Sequence, residues 1–182
     1  MRIAISGKSG CGNTTVTTLV SKMLGYPMVN FTFRNMAQER GIDFWEFCRM
    51  AEQDDSIDKE LDARQVAMAM ERKDCVLGSR LAIWMLDKAD LKVYLTASSE
   101  ERARRIHRRE GGVFEERLEQ TIKRDQHDSQ RYKRIYGIDN EDSSAADLVI
   151  ETDGRTPESV AGMIVEEAVR RGAQVGAPCC SE

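Results

Sequence analysis

Short apolar runs alternate along the chain with longer amphipathic stretches. Strand-like runs fall at residues 2–6, 28–31, 75–78, 91–95 and 147–151, with helical patterns between them. That alternation predicts an α/β layer fold with a mainly parallel sheet. Residues 14–24 read as a helix with Val16, Leu19, Val20 and Met23 on one face. Between the second and third strands lies a mostly helical block, residues 33–72, too long for a simple crossover. Its segments carry apolar faces of their own (Phe44, Phe47, Met50; Ile57, Leu61; Val66, Met70), which predicts an inserted cap over the sheet. Ser98-Ser99-Glu100-Glu101 reads as a capped helix start. Glu110-Gly111-Gly112 breaks that helix, and a long charged one resumes from about Phe114. There is no internal repeat. The stretch after Gly172 reads as a disordered tail.

Length and composition narrow this picture. At 182 residues the chain suits a single domain with a real core. Charged residues at 32% against 6% aromatics predict a charge-rich surface around an aliphatic interior. A net charge of −4 gives no general reason to expect a nucleic-acid polymer or an anionic membrane as partner. No apolar run approaches the roughly 18–20 residues that span a bilayer. The first residues lead straight into a strand pattern, which leaves no room for a signal peptide. Five cysteines, an odd number, point to a reducing compartment. Cys179-Cys180 reads as a feature of the tail, and Cys11, Cys48 and Cys75 lack zinc-type spacing. The expectation is a soluble, cytoplasmic monomer.

The chemistry begins at Gly7-Lys8-Ser9-Gly10-Cys11-Gly12-Asn13-Thr14-Thr15. The spacing is that of a phosphate-binding loop, but Asn13 stands where the lysine belongs. A strand running into a glycine loop and a helix start directs backbone N–H groups and the positive helix end at one anion. An ordinary glycine-rich turn is the alternative; the two flanks and the paired threonines favour phosphate. Farther on, Arg124, Asp128 and Arg131 lie at i, i+4 and i+7 on one helical face. Phosphoryl transfer depends mainly on positioning and charge stabilisation, so such cations are the parts it needs. A solvated arginine–aspartate ladder, worth only a few tenths of a kcal/mol per pair, is the alternative from spacing alone.

Residues 95–105 followed by Ile122-Lys123-Arg124-Asp125-Gln126-His127-Asp128-Ser129-Gln130-Arg131 resemble the lid region of cytidylate kinases, whose pattern is R-D-x-x-D-x-x-R. Glu39-Arg40-Gly41, Ala51-Glu52-Gln53-Asp54, residues 57–65, Arg80-Leu81-Ala82-Ile83-Trp84-Met85 and residues 131–139 are similar to the shorter, archaeal-type members of that family. The matches run in order from residue 1 to about 170. The resemblance implies a three-layer phosphate-loop kinase fold with a five-stranded parallel sheet, over residues 1–172. Within it lie an acceptor-binding insertion at about 32–72 and a lid at about 107–125, with the tail at 173–182. It implies ATP as donor, CMP or dCMP as acceptor, and Mg²⁺. By position, Gly7 to Thr15 would hold ATP, with Thr14, alone or together with Thr15, facing Mg²⁺. Arg124 and Arg131 would contact phosphates and Asp128 the acceptor ribose. Arg80 follows a strand end, where ligands sit in open α/β sheets. Thr32-Phe33-Arg34 resembles the end of the acceptor-binding loop. Arg34 and Arg80 are therefore expected at the acceptor phosphate, each against the alternative of a solvated arginine. Arg64 would reach the acceptor or pair with Glu60. Of Arg102, Arg104, Arg105, Arg108 and Arg109, some would be donor-side charge of the lid and at least two would face water. Trp84 and Met85 read as core.

The chain departs from the family pattern at Asn13, at Gly78-Ser79-Arg80, where an acid and a glycine usually precede the arginine, and around Asn30-Phe31-Thr32, where the acceptor loop is short. Losing one preorganised charge donor typically costs on the order of 3 kcal/mol, about a hundredfold in rate. Lys8 is a candidate replacement, since deviant phosphate loops carry their lysine at that position; a solvated loop lysine is the alternative. Two readings follow: a kinase for CMP or dCMP (AMP or UMP being near alternatives), or a nucleotide-binding sensor that no longer transfers phosphate.

Overall fold

The computed structural model describes residues 1–175. Five strands, β1 (Arg2–Gly7), β2 (Met28–Val29), β3 (Cys75–Gly78), β4 (Leu91–Thr96) and β5 (Leu148–Glu151), form one sheet in the order β2-β3-β1-β4-β5. Every pairing is parallel. The central strand shows why: Ile3, Ala4 and Ile5 are fully buried, the continuous apolar run of a strand covered on both faces. Alternate residues feed two cores. Ile3, Ile5, Val76, Val93 and Leu95 pack against α1 (Asn13–Leu24) and α8 (Pro157–Arg170). Ala4, Leu77 and Tyr94 face the opposite way, with Ala69 of α4 (Asp55–Met70) and Ala82 and Ile83 of α5 (Ala82–Met85). Trp84, half-buried, packs edge-on to Tyr94, as its reading as core anticipated.

The cap is helical. It comprises α2 (Phe33–Glu39), α3 (Phe44–Gln53) and the start of α4, around a small core of Met36, Ala37, Phe47, Ala51 and Ile57. Each helix starts on a side-chain cap: Thr32 with Asn35 in a capping box, Asp43 and Asp54. The broken charged helix is α6 (Ser99–Glu110) followed by α7 (Phe114–Tyr136), with Ser98 accepting the Glu101 N–H. Among the described residues, no helix is long and apolar enough to cross a membrane.

Two details differ from the sequence expectation. Strand β2 stops at Val29, because as an edge strand it pairs only with β3, and the Phe31 carbonyl accepts from the Gln65 side chain at 2.7 Å instead. On α1 the buried stripe is Val16, Thr17, Val20 and Leu24, while Met23 is 44% exposed. The sheet takes the face that repeats every four residues from Val16 and accepts a threonine on it. Of the expected tail, Ala173 is buried against the core and the Gln174 N–H donates to the Tyr26 hydroxyl. Residues 176–182, with Cys179 and Cys180, lie outside the described residues.

Candidate active site

The loop between β1 and α1 opens where the chain leaves β1 for opposite neighbours, β3 on one side and β4 on the other, which is the ligand-binding position of an open parallel sheet. Gly10 (φ 87°) and Gly12 (φ 97°) take left-handed conformations that give the loop its curl. A Cβ at Gly10 would also stand 2.8 Å from Arg102 Cβ. The loop lines a cavity of about 580 Å³ that reaches from residues 7–15 past Ser79 and Arg80 to Arg109, Arg155 and Pro157.

The loop is braced from α6. Arg102, 3% exposed, forks onto Asp125 at 2.9 and 2.5 Å and donates to the Ser9 carbonyl at 3.1 Å. Arg105 donates to the carbonyls of Gly10 and Cys11 at 3.4 and 3.3 Å and to Thr152. These two arginines of the lid cluster brace the loop, and Arg105 also lines its cavity, whereas Arg104, Arg108 and Arg109 are exposed. Their role was missed in the sequence, although Arg102 shares a helical face with Ala103 and Ile106.

Asn13 does not reach outward as a lysine would. Its Nδ2 donates to the Gly7 carbonyl at 2.9 Å, closing the base of the loop, and its Oδ1 is buried without a partner. Lys8 points its ammonium at Glu141 (2.5 Å), with Asp125 at 3.9 Å. Thr14 and Thr15 line the cavity in the exposed first turn of α1.

Past the end of β3, Arg80 donates to Asp128 at 2.7 Å and to the Tyr132 hydroxyl at 3.4 Å. Arg124 makes no ion pair among the described residues. Repulsion from Arg80, then desolvation, holds its guanidinium below the usual arginine value. Arg131 donates its Nε to Asp58 at 2.9 Å and lies 5.9 Å from the Phe33 ring centroid. Asp58 is only 5% exposed, and burial raises its carboxyl against the opposing pull of Arg131. One face of α4 continues this contact: Asp55 pairs with Arg134 at 2.6 Å, and Asp62 accepts from the Tyr136 hydroxyl at 2.6 Å. Asp55, Asp58 and Asp62 thus join the cap to α7, and their i, i+3, i+7 spacing was the unread signal for it.

The structure therefore gathers Arg80, Arg124, Asp128 and Arg131 along α7 and the end of β3. Arg34 is exposed and stacks on Phe44, 4.3 Å from the ring centroid. Arg64 stands apart, paired with Glu39 and with Glu60 at 3.0 Å, on the rim of a second cavity of about 790 Å³ beside Asn30, Phe31 and Asn35. The surface pairing allowed by the sequence is the one it makes.

The carboxylates beside the loop and along the facing side of α7 are paired, Asp125 with Arg102, Asp128 with Arg80 and Glu141 with Lys8. Glu101, the one acid lining the loop cavity among the described residues, pairs with Arg104 and Arg105 at 2.5 and 3.1 Å. Also among these residues, no group of three His, Cys, Asp or Glu side chains is arranged to hold a metal ion. Mg²⁺ is usually bound through one or two carboxylates plus substrate phosphates. This donor set does not fit an ion anchored by protein carboxylates.

The sequence model of the cytidylate kinase-like family matches residues 2–154. The chain belongs to this family. It is 45% identical over 175 residues to "Cytidylate kinase 2" of Borreliella afzelii (strain PKo), covering 94% of this chain and 98% of the relative. It is 40% identical over 166 residues to the cytidylate kinase of Pyrococcus abyssi (strain GE5 / Orsay), covering 89% and 90%. Among solved structures, shikimate kinase from Acinetobacter baumannii in complex with shikimate aligns at TM-score 0.61 and 19% identity, over 95% of each chain. Deoxyadenosine kinase from M. mycoides with bound dATP aligns at 0.59 and 16%, over 93% of this chain and all (100%) of its own. At such identities the structural matches establish the kinase fold alone. The cytidylate kinase-like assignment makes the chain a nucleoside-monophosphate kinase by family.

Proposed function

We propose that the protein transfers the terminal phosphoryl group of ATP to CMP or dCMP, giving ADP and CDP or dCDP. The observation that carries this reading is Arg80. It lines the phosphate-loop cavity and also bonds Asp128 on α7, so one guanidinium belongs to both the donor and the acceptor side. The relatives named cytidylate kinase supply the acceptor's base.

In this reading the N–H groups of Gly10, Gly12, Asn13 and Thr14 cradle the donor phosphates. Mg²⁺ would reach the loop on the triphosphate, with the Thr14 hydroxyl as its protein contact. The acceptor phosphate oxygen attacks the terminal phosphorus directly, so no general base is needed. Arg124, a cation with no ion-paired carboxylate among the described residues, attracts the transferring group, and Arg80 and Arg131 offset the charge that spreads over its oxygens. Asp58 and Asp128 hold Arg131 and Arg80 until substrate arrives. Asp128 then turns to the acceptor ribose, while Arg34 leaves Phe44 for the acceptor phosphate. Lys8 lines the same cavity, but its ammonium contributes to transfer only if its pair with Glu141 opens.

A coupled ADP-release assay across CMP, dCMP, UMP and AMP tests the proposal. The expected result is kcat/KM for CMP or dCMP at least about tenfold above the others. Nucleotide binding without turnover on any acceptor would contradict it.

A further inference from the structure

We propose that the donor site holds its nucleoside triphosphate through cations of the chain itself, so that the metal-free polyanion binds no more weakly than its magnesium complex. This rests on the donor-site reading above and concerns how that site is charged.

In phosphate-loop folds a strand-end acid helps to hold the metal ion beside the loop. Here β3, the strand next to β1, ends at Gly78, in register with Ile5. No side chain fits at that position. A Cβ at Gly78 would stand 2.9 Å from Thr17 Cβ and closer still to the Thr17 hydroxyl. Thr17 is 1% exposed, and its Oγ1 has no hydrogen-bond partner. A neutral hydroxyl thus occupies the space an acid would need, and a neutral amide, Asn13, stands where the loop's own cation would be. The two losses match: neither a lysine nor its opposing carboxylate remains.

The other carboxylates do not compensate. Glu101 is held by Arg104 and Arg105, Asp125 by Arg102, Asp128 by Arg80 and Glu141 by Lys8. Six cations line the cavity, Lys8, Arg80, Arg105, Arg108, Arg109 and Arg155, against Glu101 as the one acid in its wall, and of the six Arg108 and Arg155 carry no ion pair among the described residues. Such a wall attracts a triphosphate most strongly when no divalent cation has offset its charge. It gives a hydrated Mg²⁺ ion no carboxylate in exchange for its waters.

Isothermal titration calorimetry with a non-hydrolysable ATP analogue, in EDTA and in saturating Mg²⁺, tests this. The expected Kd without metal is equal to or tighter than that with metal, within about threefold. Binding at least about tenfold tighter with Mg²⁺ overturns the proposal. Binding of neither form overturns it together with the donor-site reading beneath it. The double variant Thr17→Ala/Gly78→Asp opens the space and supplies the acid, and it should shift preference toward the magnesium complex by about tenfold or more. A folded double variant with unchanged preference overturns the role given to this pair. The wild-type comparison decides the main claim even if the variant does not fold.

Discussion

Arg80, just past the end of β3, repels Arg124 on α7, and of the two only Arg80 has an ion-paired carboxylate among the described residues, Asp128 at 2.7 Å. The repulsion depresses Arg124's proton affinity and leaves its charge free for a phosphate. Arg124→Gln should therefore lower kcat by about a hundredfold, the usual loss for one preorganised donor. Thermal stability should hold or rise slightly, since the variant removes repulsion. Steady-state kinetics beside a melting curve check both halves.

Asp58 holds Arg131, so under the proposed function it competes with the substrate phosphate for that guanidinium. In Asp58→Asn the arginine is less tightly held. KM for CMP should fall, while unfolding free energy drops by about 1 kcal/mol for the weakened charged hydrogen bond. Kinetics and urea denaturation on the same variant separate the two effects.

Arg102 is expected to act through the loop and not on the substrate. Arg102→Lys keeps the charge but loses the fork onto Asp125 and the bond to Ser9. It should cost about 1–3 kcal/mol of stability and weaken nucleotide binding, with the CMP affinity little changed. Denaturant melts and separate titrations with ADP and CMP measure these.

Asp62 gives the cap–α7 contact a pH dependence. Burial pushes its carboxyl up to about 6, against the hydrogen bond from Tyr136. The folded state then binds the proton more tightly than the unfolded chain does, so Asp62 adds stability at low pH. That contribution is lost as pH rises from about 4 to about 6. The loss should be on the order of 3 kcal/mol. Subtracting the curve of Asp62→Asn isolates it from exposed carboxylates shifted the other way, such as Asp55 and Glu110.

Much of this architecture is legible in the residues. The alternation of strands and helices, the loop at residues 7–15, the break at Glu110-Gly111-Gly112 and the i, i+4, i+7 face of α7 all depend on local periodicity and turn chemistry. What stayed hidden depends on partners distant in sequence. Nothing local says that Arg102 meets Asp125 and Ser9, or that Asp58 meets Arg131 from another helix. The burial of Thr17 in place of Met23 likewise follows from which face of α1 the sheet and α8 take. For Arg64 the sequence offered the acceptor or Glu60; the Glu60 pair has a local i, i+4 signal, whereas the pair with Glu39 on another helix has none.

The most direct test of the central claim is to follow the nucleotides themselves by ³¹P NMR in a mixture of ATP, CMP and Mg²⁺ with the protein. The account predicts that CDP and ADP accumulate together in equal amounts, and that Arg80→Gln slows both by about a hundredfold or more. ATP that binds but leaves CMP unphosphorylated, or that is merely hydrolysed to ADP and phosphate, would contradict it.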